Sequence, residues 1–282
     1  MFFTPIESLP YRELVSDYTP SISRVFSAWG FDSSVIQVVK MSGFGFERIY
    51  DYIGIDKNIS LVGDHIDKDP SGRYASSEEV ANKIIELTAE EDKSFVYAFA
   101  NSSHMPWKLK DYPNNSIELL HDHGLSGKKL NQMLAYFNAI RHVESLLTKL
   151  VTHYEKSGEK TVILFMGDHH PALDLLLDDV EKSEIYQSYV VPALIWSNYH
   201  QPKAIDNDFF TSVNFMSSKV LNVLGLEANG FFKFNAEAKD ALSVLSPRYP
   251  LNKLTKNQQQ WLQEYEILQY KILMEPEGNH LY

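Results

Sequence analysis

The sequence predicts an α/β fold with a central, largely parallel sheet flanked by helices, and three observations predict it. Apolar runs of strand length alternate with helical patterns along the chain, the rhythm of βαβ units. A long stretch of helical periodicity separates the second apolar run from the third. The third run, in residues 160–171 (KTVILFMGDHHP), stops abruptly at Asp168, His169 and His170. A buried strand in an open α/β sheet delivers polar groups to its C-terminal edge in this way.

Taken in order, residues 35–39, 95–100, 161–166 and 191–196 are the expected strands. Ser76, Ser77, Glu78 and Glu79 followed by Val80, Ile84, Ile85 and Leu87 form a capped helix start. Between the second and third strands, Leu130, Met133, Leu134, Phe137, Ile140, Leu147, Val151 and Tyr154 approximate one apolar face of a long helix. Residues 215–224 read as a helix stopped by Gly225. Residues 109–127, rich in glycine, asparagine and charge, read as a surface excursion just after a strand, where binding loops tend to sit. There is no internal repeat and no low-complexity linker. One domain over residues 1–245 with a helical tail at 246–282 packed on it is the expected organisation.

Composition narrows the function classes. The 282 residues are 44% hydrophobic and 13% aromatic, enough for one substantial core. With 26 basic against 37 acidic residues the net charge is −11, which argues against nucleic acid as the main partner. A phosphate-bearing substrate must then be held locally, by a metal and a few donors. No window approaches the roughly 18 consecutive apolar residues of a membrane span, and the N-terminus lacks the regions of a signal peptide, so the chain is expected to be soluble. With no cysteine, disulfides, thiol catalysis and cysteine zinc sites are excluded.

The chemistry-bearing residues cluster after strands. A carboxylate beside an imidazole, Asp168 with His169, suits a divalent cation such as Zn²⁺ or Mn²⁺; the plainer alternative is a polar turn with Asp168 as a cap. Residues 101–107 (NSSHMPW) follow the second strand as Asp168 follows the third, so parallel strands would bring His104 to the same edge. The alternative for His104 is a surface histidine with Trp107 covering a hydrophobic edge. Gly63, Asp64 and His65 repeat the GDH letters in a polar stretch with Asp67, Asp69 and Pro70, and are expected to be loop. His121, Asp122 and His123 lack a scaffold to fix ligand geometry. His142 and His153 fall on the long helix and need no function.

The order of these motifs resembles the extracellular catalytic domain of the lipoteichoic acid synthase and phosphoglycerol transferase group, within the alkaline phosphatase and sulfatase superfamily. The matching pieces are residues 18–30 (YTPSISRVFSAWG), 46–50 (FERIY) with 54–56 (GID), and 103–107 (SHMPW). They continue through residues 136–140 (YFNAI), 167–171 (GDHHP), 191–195 (VPALI) and a tail at 262–270. The resemblance implies a metal-dependent phosphoryl transfer that moves phosphoglycerol from a membrane lipid to a cell-envelope polymer, through a covalent phosphothreonine. It implies that Asp168 and His169 bind one divalent metal, Mn²⁺ with Zn²⁺ or Mg²⁺ as alternatives, and that His104 contacts the phosphoglycerol group. Trp107 and Phe44 join the substrate-binding set, the latter as an aromatic wall. The implied partners are a phospholipid headgroup or a glycerol-phosphate polymer. The implied location is the extracellular side of a bacterial membrane, on a membrane-anchored parent protein.

Two departures qualify the resemblance. The group's threonine nucleophile and a glutamate metal ligand would, by motif order, precede residue 1. The expectation is therefore a fold incomplete at its N-terminus, inactive alone, with an exposed sheet edge through which the chain self-associates. The second departure is Phe46, where the group places an arginine; Arg48 or Lys40 compensates, or the substrate differs. Another sulfatase, phosphodiesterase or phosphoethanolamine transferase of the superfamily, and a non-catalytic envelope-binding module, are the alternative readings.

Overall fold

In the computed structural model, residues 14–42, 45–114, 117–121, 124–171, 189–199, 210–228, 230–245 and 254–281 are described. Ser21 caps the first helix, α1 (Ile22–Ala28), by accepting the Arg24 amide at 3.2 Å. The chain then enters β1 (Asp32–Gln37), the central strand of a three-stranded parallel sheet. After α2 (Phe46–Tyr52), β2 (Lys57–Ser60) pairs with β1 on one side, with Val35 opposite Asn58. Helix α3 (Ser77–Glu90) leads to β3 (Ser94–Ala98), which pairs on the other side with Val35 opposite Tyr97. The 31-residue α4 (Gly127–Ser157) returns the chain to β4 (Val162–Met166), paired with β5 (Ala193–Ser197). Helices α5 (Met216–Leu224), α6 (Phe231–Leu242) and α7 (Lys256–Met274) complete the fold. No described helix is long and apolar enough to cross a membrane.

Alternation along the strands makes the layers. Ile36 and Val96 face the cluster of Val80, Ala81 and Leu87 from α3 and Leu146, Leu150 and Tyr154 from α4. On the other face, Phe95 packs with Phe26 of α1, Val220 and Leu221 of α5, Phe231 and Phe232 of α6, and Ile272 of α7. The strand pair β4–β5 spans the same two layers, because Ile163 joins the first cluster and Leu164 the second. Among the described residues, however, β3 and β4 are not hydrogen-bonded to each other and the five strands form two sheets. Each residue of β4 is only half-buried although all five are apolar.

Local signals explain the element boundaries. Ser76 accepts the Glu79 amide at 3.1 Å to start α3, as the Ser-Ser-Glu-Glu pattern predicts. Gly225, with φ at 66°, closes α5 in the left-handed conformation that glycine adopts without steric cost. Thr255 and Gln258 form a reciprocal capping box at the start of α7. Along α7, Leu262 and Tyr265 pack with Phe215, Ala238 and Leu242, while Leu273 packs with Val15 and Ile49.

Three expectations are corrected. The strand expected at 191–196 runs antiparallel to β4, so the parallel part of the fold is β2–β1–β3. β2 is missing from the sequence reading because Lys-Asn-Ile-Ser has no apolar run; its ladder to the buried β1 makes it a strand. The long helix exists, but its buried stripe is Ala135, Ala139, Val143, Leu146, Leu150 and Tyr154, leaving Phe137 and Ile140 exposed. The small alanines let α4 lie against Trp107 and Tyr112, and this close approach outweighs the larger apolar side chains.

Burial also sets an alkaline limit. Tyr112 and Tyr265 are both pushed up from 10.0 to about 12, first by burial, with Asp69 and Asp111 adding to the rise at Tyr112. The unfolded chain therefore ionises these phenols before the folded chain does. Stability is retained below pH 10 and is lost as pH rises from about 10 towards about 12. Thermal melts across that range should show a falling midpoint, with a shallower fall in the Tyr112→Phe variant.

Candidate metal and phosphate site

The turn after β4 is held closed by backbone contacts. Gly167 donates its N–H to the Pro192 carbonyl at 3.1 Å, and a Cβ on Gly167 would lie 3.3 Å from that of Val191. That close approach favours glycine here. His170 ties the turn down further by donating Nε2–H to the Val190 carbonyl. Asp168 and His169 are thereby turned outward, with side chains 87% and 66% exposed. Asp168 Oδ1 accepts the His169 amide at 2.9 Å, and Asp168 Oδ2 lies 3.6 Å from His169 Nε2.

The protonation of His169 follows from its partner. Its Nδ1 is 2.7 Å from the His170 carbonyl, and a carbonyl only accepts, so Nδ1 carries the proton. In the neutral ring Nε2 then holds a lone pair facing the Asp168 carboxylate. A ligating histidine is oriented in the same way, by donating its other N–H to a carbonyl. The pair thus offers one oxygen and one nitrogen donor to a single cation, and the donor chemistry fits a divalent metal. Among the described residues no group of three or more His, Cys, Asp or Glu could hold a metal ion.

Tyr97 links this turn to β3. Its ring meets Phe99 edge-on at 4.8 Å, and although the residue is 49% exposed its phenol is held above the usual range, first by partial desolvation and then by the charge of Asp168. Phe95 and Leu164 share one core cluster, and two residues beyond Phe95 the chain feels a charge four residues beyond Leu164.

The loop after β3 carries His104. It is folded by the His104 amide on the Asn101 carbonyl at 2.9 Å and contains a cis Met105–Pro106 bond. His104 is exposed, and its Nδ1–H donates to the Met105 carbonyl at 2.8 Å, leaving Nε2 free of that bond. Trp107 lies behind the loop, buried with Tyr112, Ala135 and Ala139. Its Nε1–H donates to the Ser103 carbonyl at 2.8 Å, and its ring meets Tyr136 edge-on at 5.2 Å. The indole braces the loop from α4 rather than standing open beside His104. Trp107→Ala should lower unfolding stability by about 3–5 kcal/mol, the scale for a buried aromatic, as a denaturant titration would measure.

Other expected positions separate from these two loops or lie outside the description. Gly63, Asp64 and His65 are in an exposed loop. Phe44, Asp122 and His123 lie outside the described residues. Phe46 stacks on Tyr50 at 5.7 Å and approaches Phe99 at 6.4 Å. Sequence reasoning missed Tyr97, Asp69 and Arg73. Only strand register places the first, and only a long-range contact to the His104 loop reveals the others.

A family model for sulfatases matches residues 1–226. The chain belongs to the sulfatase family. A Rhizobium meliloti (strain 1021) protein named for cyclic β-1,2-glucan modification is 23% identical over 283 aligned positions, covering 94% of this chain and 43% of that protein. Three solved structures share the sulfatase-family fold. The lipoteichoic acid synthase LtaP from Listeria monocytogenes has a TM-score of 0.61 at 20% identity, over 79% of this chain and 57% of that one. The Streptococcus pyogenes phosphoglycerol transferase GacH, solved with sn-glycerol 1-phosphate, has a TM-score of 0.65 at 18% identity, over 87% and 62%. The C-terminal periplasmic domain of Escherichia coli EptC, solved with Zn, has a TM-score of 0.58 at 16% identity, over 84% and 71%. This sulfatase-family chain thus spans less than half the length of the Rhizobium relative and under two thirds of LtaP and GacH. The fold is also shared with a Vibrio parahaemolyticus protein of the alkaline phosphatase superfamily, at a TM-score of 0.58 and 17% identity over 80% of this chain and 53% of that one.

Proposed function

We propose that this chain is a metal-dependent phosphoryl-transfer domain that moves phosphoglycerol from a membrane lipid to a cell-envelope polymer. The observation that carries the proposal is the pair of donor atoms on Asp168 and His169, set 3.6 Å apart in the turn after β4. Asp168 and His169 would hold the cation, Mn²⁺ in the first instance with Zn²⁺ or Mg²⁺ as alternatives. Such a cation, when bound, neutralises phosphoryl charge and lowers the pKa of an attacking hydroxyl. His104 contributes through Nε2: the imidazolium donates to a phosphate oxygen, and the neutral ring accepts a proton from a hydroxyl. Trp107 fixes the loop that carries it. The domain extends over residues 1–245, with 246–282 as a helical tail on the same body. It works on the extracellular side of a bacterial membrane, as part of a membrane-anchored protein.

Titration with sn-glycerol 1-phosphate in excess Mn²⁺ tests this reading. Saturable binding is expected, weakened on the order of tenfold in His104→Ala, the scale of one charge-assisted hydrogen bond. Unchanged affinity in that variant would remove His104 from the site. The two-donor pair also favours a second reading, an envelope-binding module that holds glycerol-phosphate polymer without turning it over. Binding of the polymer with no diacylglycerol released from phosphatidylglycerol vesicles would support that module.

Among the described residues β3 and β4 are each paired on one side only, and the proposed self-association runs through those edges. Sedimentation equilibrium should show a mass that rises with concentration. A monomer at every concentration would contradict association through those edges.

A further inference from the structure

The loop before α3 grips the His104 loop through one side chain. Asp69 is buried at 3% exposure, and its Oδ1 accepts the Arg73 amide at 3.0 Å and the Ser71 hydroxyl at 2.8 Å. Ser71 Oγ in turn accepts Arg73 Nε–H at 3.0 Å. The guanidinium so held donates Nη2–H to the His104 carbonyl at 2.8 Å and Nη1–H to the Met105 carbonyl at 2.5 Å. The Met105 carbonyl is also the acceptor of His104 Nδ1–H.

We propose that Arg73 is the positioning residue of His104, fixing its loop and its tautomer so that Nε2 is presented to a phosphate ester. The chain of contacts runs from the Asp69 carboxylate through Ser71 and the guanidinium to the carbonyl that receives the imidazole proton. Two successive carbonyls sit at the tips of one planar fork, a match that the single ammonium of lysine cannot reproduce. Tyr74 completes the clamp: its ring lies 5.1 Å from the Arg73 guanidinium and meets the His104 ring edge-on at 5.8 Å. A free imidazole prefers its proton on Nε2, so the Nδ1–H form at His104 depends on this held acceptor. The inference rests on the reading of His104 as the phosphate-contacting group, and it adds residues 69–73 to the site.

The test is long-range ¹H–¹⁵N NMR of the histidine rings in the full chain, at a pH where the imidazoles are neutral. The His104 signal is identified by its loss in His104→Ala. Wild-type His104 should show the Nδ1–H pattern, and Arg73→Ala should shift it towards Nε2–H. Affinity for sn-glycerol 1-phosphate should fall on the order of tenfold with that shift, the scale at which partners that orient a histidine act. Ser71→Ala, which leaves the guanidinium in place but untethered, should give a partial shift and serves if Arg73→Ala does not fold. A His104 ring that keeps Nδ1–H in both variants would overturn the proposal. So would weakened binding in Arg73→Ala with the tautomer unchanged, which would make Arg73 a direct ligand group. His104→Ala with undiminished affinity would instead remove the phosphate reading, and the tautomer result separates that failure from a failure of the clamp.

Discussion

Replacing Asp168 by alanine is expected to abolish measurable Mn²⁺ binding, while Asp64→Ala leaves it intact. Both aspartates stand in a Gly-Asp-His triplet, but only Asp168 follows an apolar run of strand length, while Asp64 sits in a polar stretch. The structure separates them by scaffold. Asp168 follows β4, in a turn held by the Gly167 and His170 contacts, and its Oδ2 faces His169 Nε2 at 3.6 Å. Asp64 lies in an exposed loop that follows no apolar strand. Outer partners of a metal site already cost roughly 10–100-fold in affinity when removed, and loss of a direct ligand should exceed that. Titration of the Mn²⁺ electron paramagnetic signal measures both variants side by side. Equal losses would mean that the metal is bound elsewhere.

Tyr265→Ala should be the most destabilising single change in the helical layer. The side chain is 1% exposed and its ring meets Phe215 edge-on at 6.2 Å, with Phe231 and Phe234 at 6.5 and 6.1 Å. Its phenol hydrogen-bonds Asn214. Truncation removes the packing of one fully buried aromatic and leaves a cavity between α6 and α7, about 3–5 kcal/mol on the usual scale. Tyr265→Phe keeps the ring and loses only the hydrogen bond, about 1 kcal/mol. Urea unfolding of the two variants gives the comparison. Near-equal values would mean that the polar contact, not the aromatic packing, joins α7 to the body.

The legible parts of the fold were those with strong local signals. The Ser76 cap, the Gly225 stop and the apolar run ending at Asp168 each correspond to an element boundary in the structure. β2 had no such signal, because four residues with one isoleucine become a strand only through the β1 ladder. The rotation of the α4 stripe was equally hidden: periodicity shows that a helix has an apolar face, but not that Ala135 and Ala139 lie nearest the core. At the site, Asp168 and His104 were legible as histidine- or carboxylate-bearing turns after strands. Asp69, Ser71 and Arg73 read as an ordinary polar loop. Their role depends on an arginine reaching carbonyls 31 and 32 residues away, a contact that no local pattern encodes.

The central claim is that the metal pair and the phosphate-contacting histidine serve one site. The affinity for sn-glycerol 1-phosphate, measured with and without Mn²⁺ on the wild-type chain and on Asp168→Ala, tests it most directly. Two ligands of one site are coupled, and each must strengthen the other by the same factor. Tighter binding with Mn²⁺ in the wild type, and no such gain in Asp168→Ala, is the predicted result. The same affinity under all four conditions would contradict it, placing metal and phosphate in separate sites.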